Sequence, residues 1–380
     1  MHHQPHNPKT PTTSPYRRSI PRMGVCAIAI VFAVAPNAFA QQPVQTMRLQ
    51  RAAILDPMVN NHESLSFLLP ADWKLEGQVQ WLFEHSVLTN HVWRITHAPS
   101  RLMIQSLPYR HFTWSGDTSL IPEWGNHLGQ TVLRPIRDPH AFVQAFWMPQ
   151  TMPYLQNARL THKAELPALA AQALREWGNA RAEVKAWRLR YSYQWQGQPF
   201  EQDVVFVLLF TDWSPQFWQV AHCYTVSAPA GTLDRVQGSI NTVLASISVN
   251  PHWQASWQVV KQLQRQGIQQ GMERTRAFGR ALTEHREQIA QIQKQLEADR
   301  EASNRARQQT IREALGGIET YAHTQAATRV ELPQGYRSAW VNQQGEFIVS
   351  TEPGFDPNPG QTQTWTKLEK IDPMATRSGR

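Results

Sequence analysis

Apolar residues recur at helical spacing through a polar stretch between residues 250 and 317. Asn250 is a favourable N-cap ahead of Pro251, and the Gly316-Gly317 pair is a typical helix stop. The pattern therefore predicts a long polar helix over residues 251–315. Its apolar positions step by three, four and seven and share one narrow seam. The seam consists of Phe278, Leu282, Ile289, Ile292 and Leu296.

Glycines interrupt this helix at Gly267, Gly271 and Gly279. Each costs roughly 0.8–1 kcal/mol relative to alanine in a helix interior, so we expect a kink or break near residues 267–279. The seam has three interpretations: a solvated connecting helix with some packing, a helix that docks on a neighbouring surface, or a coiled coil that makes a homodimer. Because sustained heptads are missing, the pattern favours the connecting helix.

Before the helix, a period-two pattern over residues 183–195 predicts a half-buried strand. A turn leads into a near-continuous apolar run at 204–210, which is typical of a central strand buried on both faces. A third strand is expected at 216–226. Helical spacing at 166–177 and 233–247 places one helix on each side of this three-stranded meander.

The first part of the chain predicts more antiparallel sheet. Short strand-like runs follow one another at 66–70, 77–85, 91–97 and 101–107. Residues 41–61 are predicted as a lead-in and 113–153 as irregular structure rich in Pro, Trp and His. Residues 41–250 are therefore expected to form one α+β domain, an antiparallel sheet with flanking helices.

The early strand and turn with the sequence FLLPADW, followed by this antiparallel sheet and its helices, resemble the PsbP-type α+β fold over about residues 44–250. The resemblance implies a noncatalytic binding or assembly domain. It transfers no ligand and no residue role. The Pro- and Trp-rich middle is longer than a minimal version of that fold needs.

After the helix, residues 316–380 are predicted to form a small aromatic β module with a disordered tail. Strand candidates at 336–341 and 346–349 are joined by the turn Asn342-Gln343-Gln344-Gly345. This segment is similar to the C-terminal segments of uncharacterised secreted bacterial proteins, which supplies no function. A small module can bury few large rings, so its candidate binding residues are Tyr336, Trp340 and Trp365.

Residues 1–40 carry the pattern of a cleavable export signal: basic residues, a short apolar run and Ala38-Phe39-Ala40. Met1 and Met23 are both possible starts. Loss of this leader removes four basic residues and no acidic one, so the formal net charge would fall from +8 to about +4. The mature chain is therefore expected in the periplasm or outside the cell, with no nucleic-acid partner and no transmembrane span.

Specific catalytic and nucleotide-binding motifs are absent from the sequence, and no cofactor or metal site is predicted. His85, His91 and His97 are evenly spaced, but steps of six along turning strands do not by themselves gather imidazoles around one ion, so ordinary surface or partly buried histidines are favoured over metal ligands. His222 and Cys223 are expected on opposite faces of a strand, with Cys223 as a buried inert thiol. The segment Asp356-Pro357-Asn358-Pro359 is interpreted as a structural turn rather than a calcium loop.

The sequence therefore predicts a secreted envelope protein that acts as a noncatalytic binding or assembly factor, with an unidentified envelope protein or polymer as partner. Two alternatives stay open. One is a hydrolase acting on an envelope polymer, with a site between His111 and His140 that includes His127 or Asp138. The other is a structural protein that self-associates through the helix seam.

Overall fold

The computed structural model describes residues 45–83, 88–116, 119, 121–178, 181–213, 215–265, 275–323, 328–360 and 362–371. These residues form a mixed α+β structure in which strand predominates over helix. Its strands are β1 (Thr46–Asp56), β2 (His62–Pro70), β3 (Lys74–Trp81), β4 (Thr89–His97), β5 (Leu102–Ser106), β6 (Arg110–Trp114), β7 (Asn126–His127), β8 (Gln130–Val132), β9 (Arg159–Glu165), β10 (Glu183–Trp195), β11 (Gln198–Phe210), β12 (Gln216–Pro229), β13 (Ser248–Val249), β14 (Ile318–His323), β15 (Thr328–Pro333), β16 (Ser338–Asn342), β17 (Phe347–Ser350), β18 (Trp365–Lys367) and β19 (Glu369–Lys370).

The α-helices are α1 (Pro139–Phe142), α2 (Met148–Gln150), α3 (Pro167–Trp177), α4 (Gln237–Ser246), α5 (Pro251–Arg265), α6 (Thr275–Glu284) and α7 (Arg286–Leu315). A π-helical turn, Val143–Trp147, joins α1 to α2. None of the helices in the described parts of the chain combines the length and the apolar composition that a membrane crossing requires.

The larger sheet, as described, contains ten strands around the predicted meander. Its main path runs β3-β4-β5-β12-β11-β10-β9, and β6 pairs with β12 beside this path, followed by β8 and then β7. All its pairs are antiparallel except β6 with β8. The apolar run 204–210 lies in β11 between β10 and β12, and every residue of it is buried. The prediction of a central strand is therefore confirmed.

The second sheet brings together the two ends of the described chain. In the described residues its order is β13-β2-β1-β17-β16-β18, and a separate three-stranded sheet is formed by β15, β14 and β19. Strand β1 pairs with both β2 and β17. The expectation of a lead-in at 41–61 is wrong, because Leu49, Ile54 and Asp56 of β1 point into the protein and are buried.

Aromatic side chains fill the core on one face of the larger sheet. The segment of α1, the π-helical turn and α2 covers this face and contributes Phe142 and Trp147, which pack near Phe206 and Trp218 of the sheet. The expectation that 113–153 is irregular is thus wrong for its second half. The helices there are short and lack a regular apolar period, so the Pro- and Trp-rich sequence gives no helical signal.

The helix expected over 251–315, with a kink or break near 267–279, is divided into α5, α6 and α7, and the chain reverses direction between α5 and α7. His252 contacts Gln293 and Gln262 contacts Gln288, so α5 and α7 lie antiparallel. Among the glycines at which a break is expected, Gly267 and Gly271 lie outside the described residues. The N-cap prediction is confirmed, since the Asn250 side chain accepts from the backbone N–H of His252 at 2.9 Å.

The seam is covered by the same chain. Phe278 and Ile289 are buried in a cluster with apolar residues of α5, among them Trp253 and Val260. The second half of α7 continues past α5 and packs on α3 and α4. This path of α7 over the larger sheet leaves a cleft between the helix and the sheet.

Candidate functional site

A cleft of about 740 Å³ lies between α3, α7 and strands β4, β5 and β12 of the larger sheet. Its apolar wall includes Leu169, Trp93 and Tyr224. The polar residues that line it are Asn90, His91, Ser106, Gln172, Arg175, Glu176, His222, Cys223, Gln254, Asp299, Arg300, Ser303, Asn304 and Arg307. A cleft of this size is within the range of sites that bind small molecules, roughly 300–1,000 Å³.

A β-bulge in β12 lies at His222 and Cys223, which both border the cleft. The register of β12 against β11 shifts between Val205 and Val207, and His222 at the bulge has a left-handed backbone with φ of 47°. Both His222 and Cys223 line the cleft. Cys223 packs in the same core cluster as Phe112 and Trp218, whereas His222 pairs with Glu176 of α3. The expectation that the two side chains lie on opposite faces of the strand stays a prediction.

Cys223 is an unreactive thiol in this position. Its Sγ donates to the carbonyl oxygen of Leu107 at 3.1 Å. Burial raises the pKa of Cys223 to about 12. The thiol is protonated at neutral pH, and only the thiolate is a strong nucleophile.

Glu176 and His222 are paired at the cleft, with His222 Nε2 and Glu176 Oε2 2.9 Å apart, within hydrogen-bond distance. The other carboxylate oxygen of Glu176 accepts from Gln172 Nε2 at 2.7 Å. Partial burial opposes ionisation of Glu176, but the hydrogen bond and charge of His222, the bond from Gln172 and the charge of Arg307 outweigh it. The pKa of Glu176 falls to about 2, so Glu176 is an ionised acceptor.

The amide of Gln172 leaves an acceptor without a partner. Gln172 is 6% exposed, and its Oε1 makes no hydrogen bond to any described residue. A carboxylate accepts but does not donate, so the bond to Glu176 fixes which end of the amide is nitrogen. A buried acceptor without a partner costs about 1–3 kcal/mol, which a hydrogen bond from a ligand would recover.

His91 carries another buried polar atom without a partner at the cleft. Its Nε2 makes no hydrogen bond within the described part of the chain, and its ring packs edge-on against Trp253 at 4.7 Å. Burial lowers the pKa of His91 to about 4. The ring is therefore neutral at neutral pH.

Arg307 on α7 brings a partly buried positive charge to the same cleft. It donates from Nη1 to the carbonyl oxygen of Ile247. Burial lowers the pKa of Arg307, and the charge of Glu176 opposes that shift. With histidine counted as neutral, three arginines and two carboxylates line the cleft, which leaves a formal charge of +1.

A row of rings, here called the aromatic track, leads from the cleft to the protein surface. The track consists of Tyr109, His111, Phe217, Trp177 and Trp213. Tyr109 lines the cleft, and Trp213 at the other end is 50% exposed. Trp177 stacks on Phe217 with centroids 5.7 Å apart and ring planes within 9° of parallel. Burial, together with the charge of Lys261, lowers the pKa of His111 to about 4, so the track carries no charge at neutral pH.

The predicted binding residues of the C-terminal segment lie elsewhere and are largely inside the protein. Trp340 is 9% exposed and Trp365 5% exposed, and Tyr336 packs against a neighbouring apolar cluster. The expectation that Trp340 and Trp365 form an exposed aromatic surface is wrong, because both side chains are buried in the sheet that β16 and β18 share with β1. A binding role for the three residues stays a prediction.

The other candidate residues are separated from one another. His97 pairs with Asp72, with His97 Nε2 3.0 Å from Asp72 Oδ2, while His85 lies outside the described residues. Asp138 caps α1 by accepting from Ala141 N at 2.8 Å and pairs with Lys163. Within the described residues no group of three or more His, Cys, Asp or Glu is placed to hold a metal ion.

The turn expected around Asp356 is present. The Asp356 side chain accepts from the backbone N–H of Asn358 at 3.0 Å, and Asn358 in turn holds the backbone N–H of Trp365 at 2.8 Å. These bonds are internal to the segment. They fit the interpretation of a structural turn, in which Asp and Asn side chains hydrogen-bond to nearby backbone.

Comparison with known proteins finds no relative of this chain. No family model, no curated protein and no solved structure matches the chain. The resemblance to the PsbP-type fold accordingly stays a prediction.

Sequence reasoning does not single out Gln172, Glu176 or Arg307. A usable signal exists for the first two, since residues four apart on a predicted helix share a face and can bond to each other. Nothing in the local pattern shows that α7 returns to this helix from more than a hundred residues away along the chain.

Proposed function

We propose that this chain is an exported, noncatalytic binding or assembly factor of the cell envelope, whose ligand lies in the cleft between α3 and α7. The leader pattern at residues 1–40 supports export. The observation that carries the binding proposal is the unpartnered Oε1 of Gln172, buried in the wall of a cleft large enough for a small molecule. Native proteins rarely leave such an atom without a partner.

The chemistry of the cleft favours binding over catalysis. Efficient general bases have a pKa near the working pH, whereas the pKa of Glu176 is about 2. The only described cysteine, Cys223, is protonated and bonded to a carbonyl oxygen. In the stretch expected for a hydrolase site, the Asp138 carboxylate is already occupied by a helix cap and by Lys163.

The proposal is tested by filling the cleft. Ser303 is an exposed residue of α7 that lines the cleft, and Ala302 beside it is exposed and does not line it. Ser303→Trp should block the ligand, while Ala302→Trp is a matched control on the same helix. The chains are purified from cell envelopes and examined by native mass spectrometry and by hydrogen exchange with and without envelope extract.

The expected result is an additional bound mass and slower exchange in α3 and α7 for wild type and Ala302→Trp, with both lost in Ser303→Trp. Ligand at one hundred times its dissociation constant would add about 2.7 kcal/mol to the free energy of unfolding. A wild-type chain with no bound mass and with unchanged exchange in extract would refute the proposal. A bound mass that survives Ser303→Trp would place the ligand elsewhere.

A further inference from the structure

The aromatic track joins the cleft to a strongly exposed indole. Its neighbouring centroids lie 5.2–6.2 Å apart, from Tyr109 in the cleft through His111 and Phe217 to Trp177 and Trp213. A single exposed tryptophan needs no explanation, but a contiguous row of partly exposed rings that ends in one is the kind of surface that binds a ligand. The track and the cleft together are elongated, which suits a chain-like ligand.

The polar atoms along this path require a ligand that both donates and accepts. Gln172 Oε1 lacks a donor and Trp177 Nε1 lacks an acceptor among the described residues. A hydroxyl group serves both needs, because it has one O–H donor and two acceptor lone pairs. A carboxylate, a phosphate or an ammonium group serves only one of them.

The charge of the path points the same way. The cleft carries a formal charge of +1, in which Glu176 is paired with His222 and also lies near Arg307. The track adds none. Highly charged ligands are bound by clusters of protein side chains of the opposite charge. The path has no such cluster, so it does not suit a polyanion or a polycation.

We propose that an uncharged, hydroxyl-rich glycan segment binds along this path, stacking its sugar rings on the aromatic track and placing hydroxyl groups at Gln172 and Trp177. This inference rests on the proposed function and specifies the class of ligand. Sugar rings present apolar C–H faces and an edge of hydroxyl groups, which matches ring faces beside unpartnered polar atoms. An envelope polymer is one partner expected from the sequence, and a glycan is a polymer of this kind.

The test uses the mature full-length chain and soluble probes in isothermal titration calorimetry. The uncharged probes are hexasaccharides of α-1,4-glucose, β-1,4-glucose and β-1,4-N-acetylglucosamine. The comparison probes are a hexamer of galacturonate, which is anionic, and dodecanoate, which is an apolar amphiphile. Trp213→Ala removes the exposed ring, and Trp195→Ala removes a ring of similar exposure, 43%, that is outside the track.

At least one uncharged hexasaccharide should bind, with an affinity that is unchanged by salt because no ion pairs form. Trp213→Ala should weaken it about tenfold and Trp195→Ala should leave it unchanged. Gln172→Leu should also weaken it about tenfold, since it removes the acceptor and keeps the volume similar. Thermal unfolding of each variant checks that the fold is kept.

Two results would overturn the proposal that the ligand is a glycan. One is binding of galacturonate hexamer or dodecanoate with no uncharged hexasaccharide bound. The other is a bound mass in native mass spectrometry that contains no sugar. Both leave the proposed cleft function intact, whereas a wild-type chain with no bound mass and no bound probe would end both proposals. Equal losses in Trp213→Ala and Trp195→Ala would remove the aromatic track from the binding site.

Discussion

The indole Nε1 of Trp253 donates a hydrogen bond to the carboxyl group of Asp56 at 2.6 Å. The residues are almost two hundred positions apart, and Asp56 is completely buried at the end of β1. The same carboxyl group accepts from Trp81 Nε1 at 2.9 Å and from the backbone N–H of Met58 at 2.9 Å. One side chain therefore fastens α5 to both β1 and β3.

Asp56→Ala should destabilise the protein strongly. The change removes three hydrogen bonds and leaves two indole N–H groups without an acceptor, each costing about 1–3 kcal/mol. We expect a loss of about 3 kcal/mol or more in the free energy of unfolding, measured by urea titration. Asp356→Ala, in an exposed turn, is the control and should cost less than about 1 kcal/mol. A loss at Asp56 no larger than that of the control would contradict this role.

Stability should fall as the pH is lowered from about 6.5 to about 4. The pKa of both His91 and His111 is lowered to about 4 by burial, against 6.5 for a free histidine. Between these values the unfolded chain binds protons that the folded chain does not, so acid favours unfolding. Each histidine contributes at most about 3 kcal/mol.

This pH dependence is measured by urea titration at several pH values. Above about pH 4.5 Glu176 does not interfere, because its pKa of about 2 means that its contribution is fully present there and is lost only at lower pH. His91→Phe should flatten the pH profile, while His127→Phe, at an exposed position, should not. Identical slopes for wild type and His91→Phe would show that His91 does not titrate in this window.

Much of the sheet could be predicted from the sequence because its strands carry their own pattern. Strand β10 alternates large and polar residues, and the run at 204–210 marks β11 as buried on both faces. Strand β1 escapes prediction because its second partner, β17, lies about three hundred residues later in the chain. Its identity as a strand depends on a contact that no local window contains.

The candidate site escapes prediction for a related reason. Gln172, His222 and Arg307 come from three separate elements, and only the reversal of the chain between α5 and α7 brings the last of them to the cleft. The bulge at His222 requires a left-handed residue, which usually signals glycine, so the sequence gives no warning of it.

Ile289→Asp should unfold the protein rather than separate a dimer. Ile289 is 4% exposed and packs in the cluster that α5, α6 and α7 form within one chain. A buried, unpaired charge belongs to the small set of changes that cost several kcal/mol. Gln291→Asp, two positions away and exposed, should be nearly neutral. Light scattering together with urea titration decides the matter: a wild-type dimer that Ile289→Asp converts to a folded monomer would restore the self-association alternative.

A chain truncated after Gly316 should fail to keep its fold. The truncation removes β17, which pairs with β1 from Thr46↔Ser350 to Leu49↔Phe347, and it uncovers Leu49 and Leu68 of the adjoining core. It also takes away Glu331, the partner of Arg312 on α7. We therefore expect aggregation or a broad, noncooperative unfolding transition in urea.

This loss of fold affects the interpretation of any experiment that uses deletion to assign a partner to the C-terminal segment. Loss of binding in a truncated chain would reflect loss of the β1 sheet rather than loss of a partner surface. Substitution of an exposed residue avoids this, because Arg337→Glu or Lys367→Glu changes the charge of the segment and leaves its buried strands in place. If the truncated chain unfolds cooperatively with wild-type stability, the pairing of β1 with β17 contributes nothing, and deletion becomes a valid test of a partner.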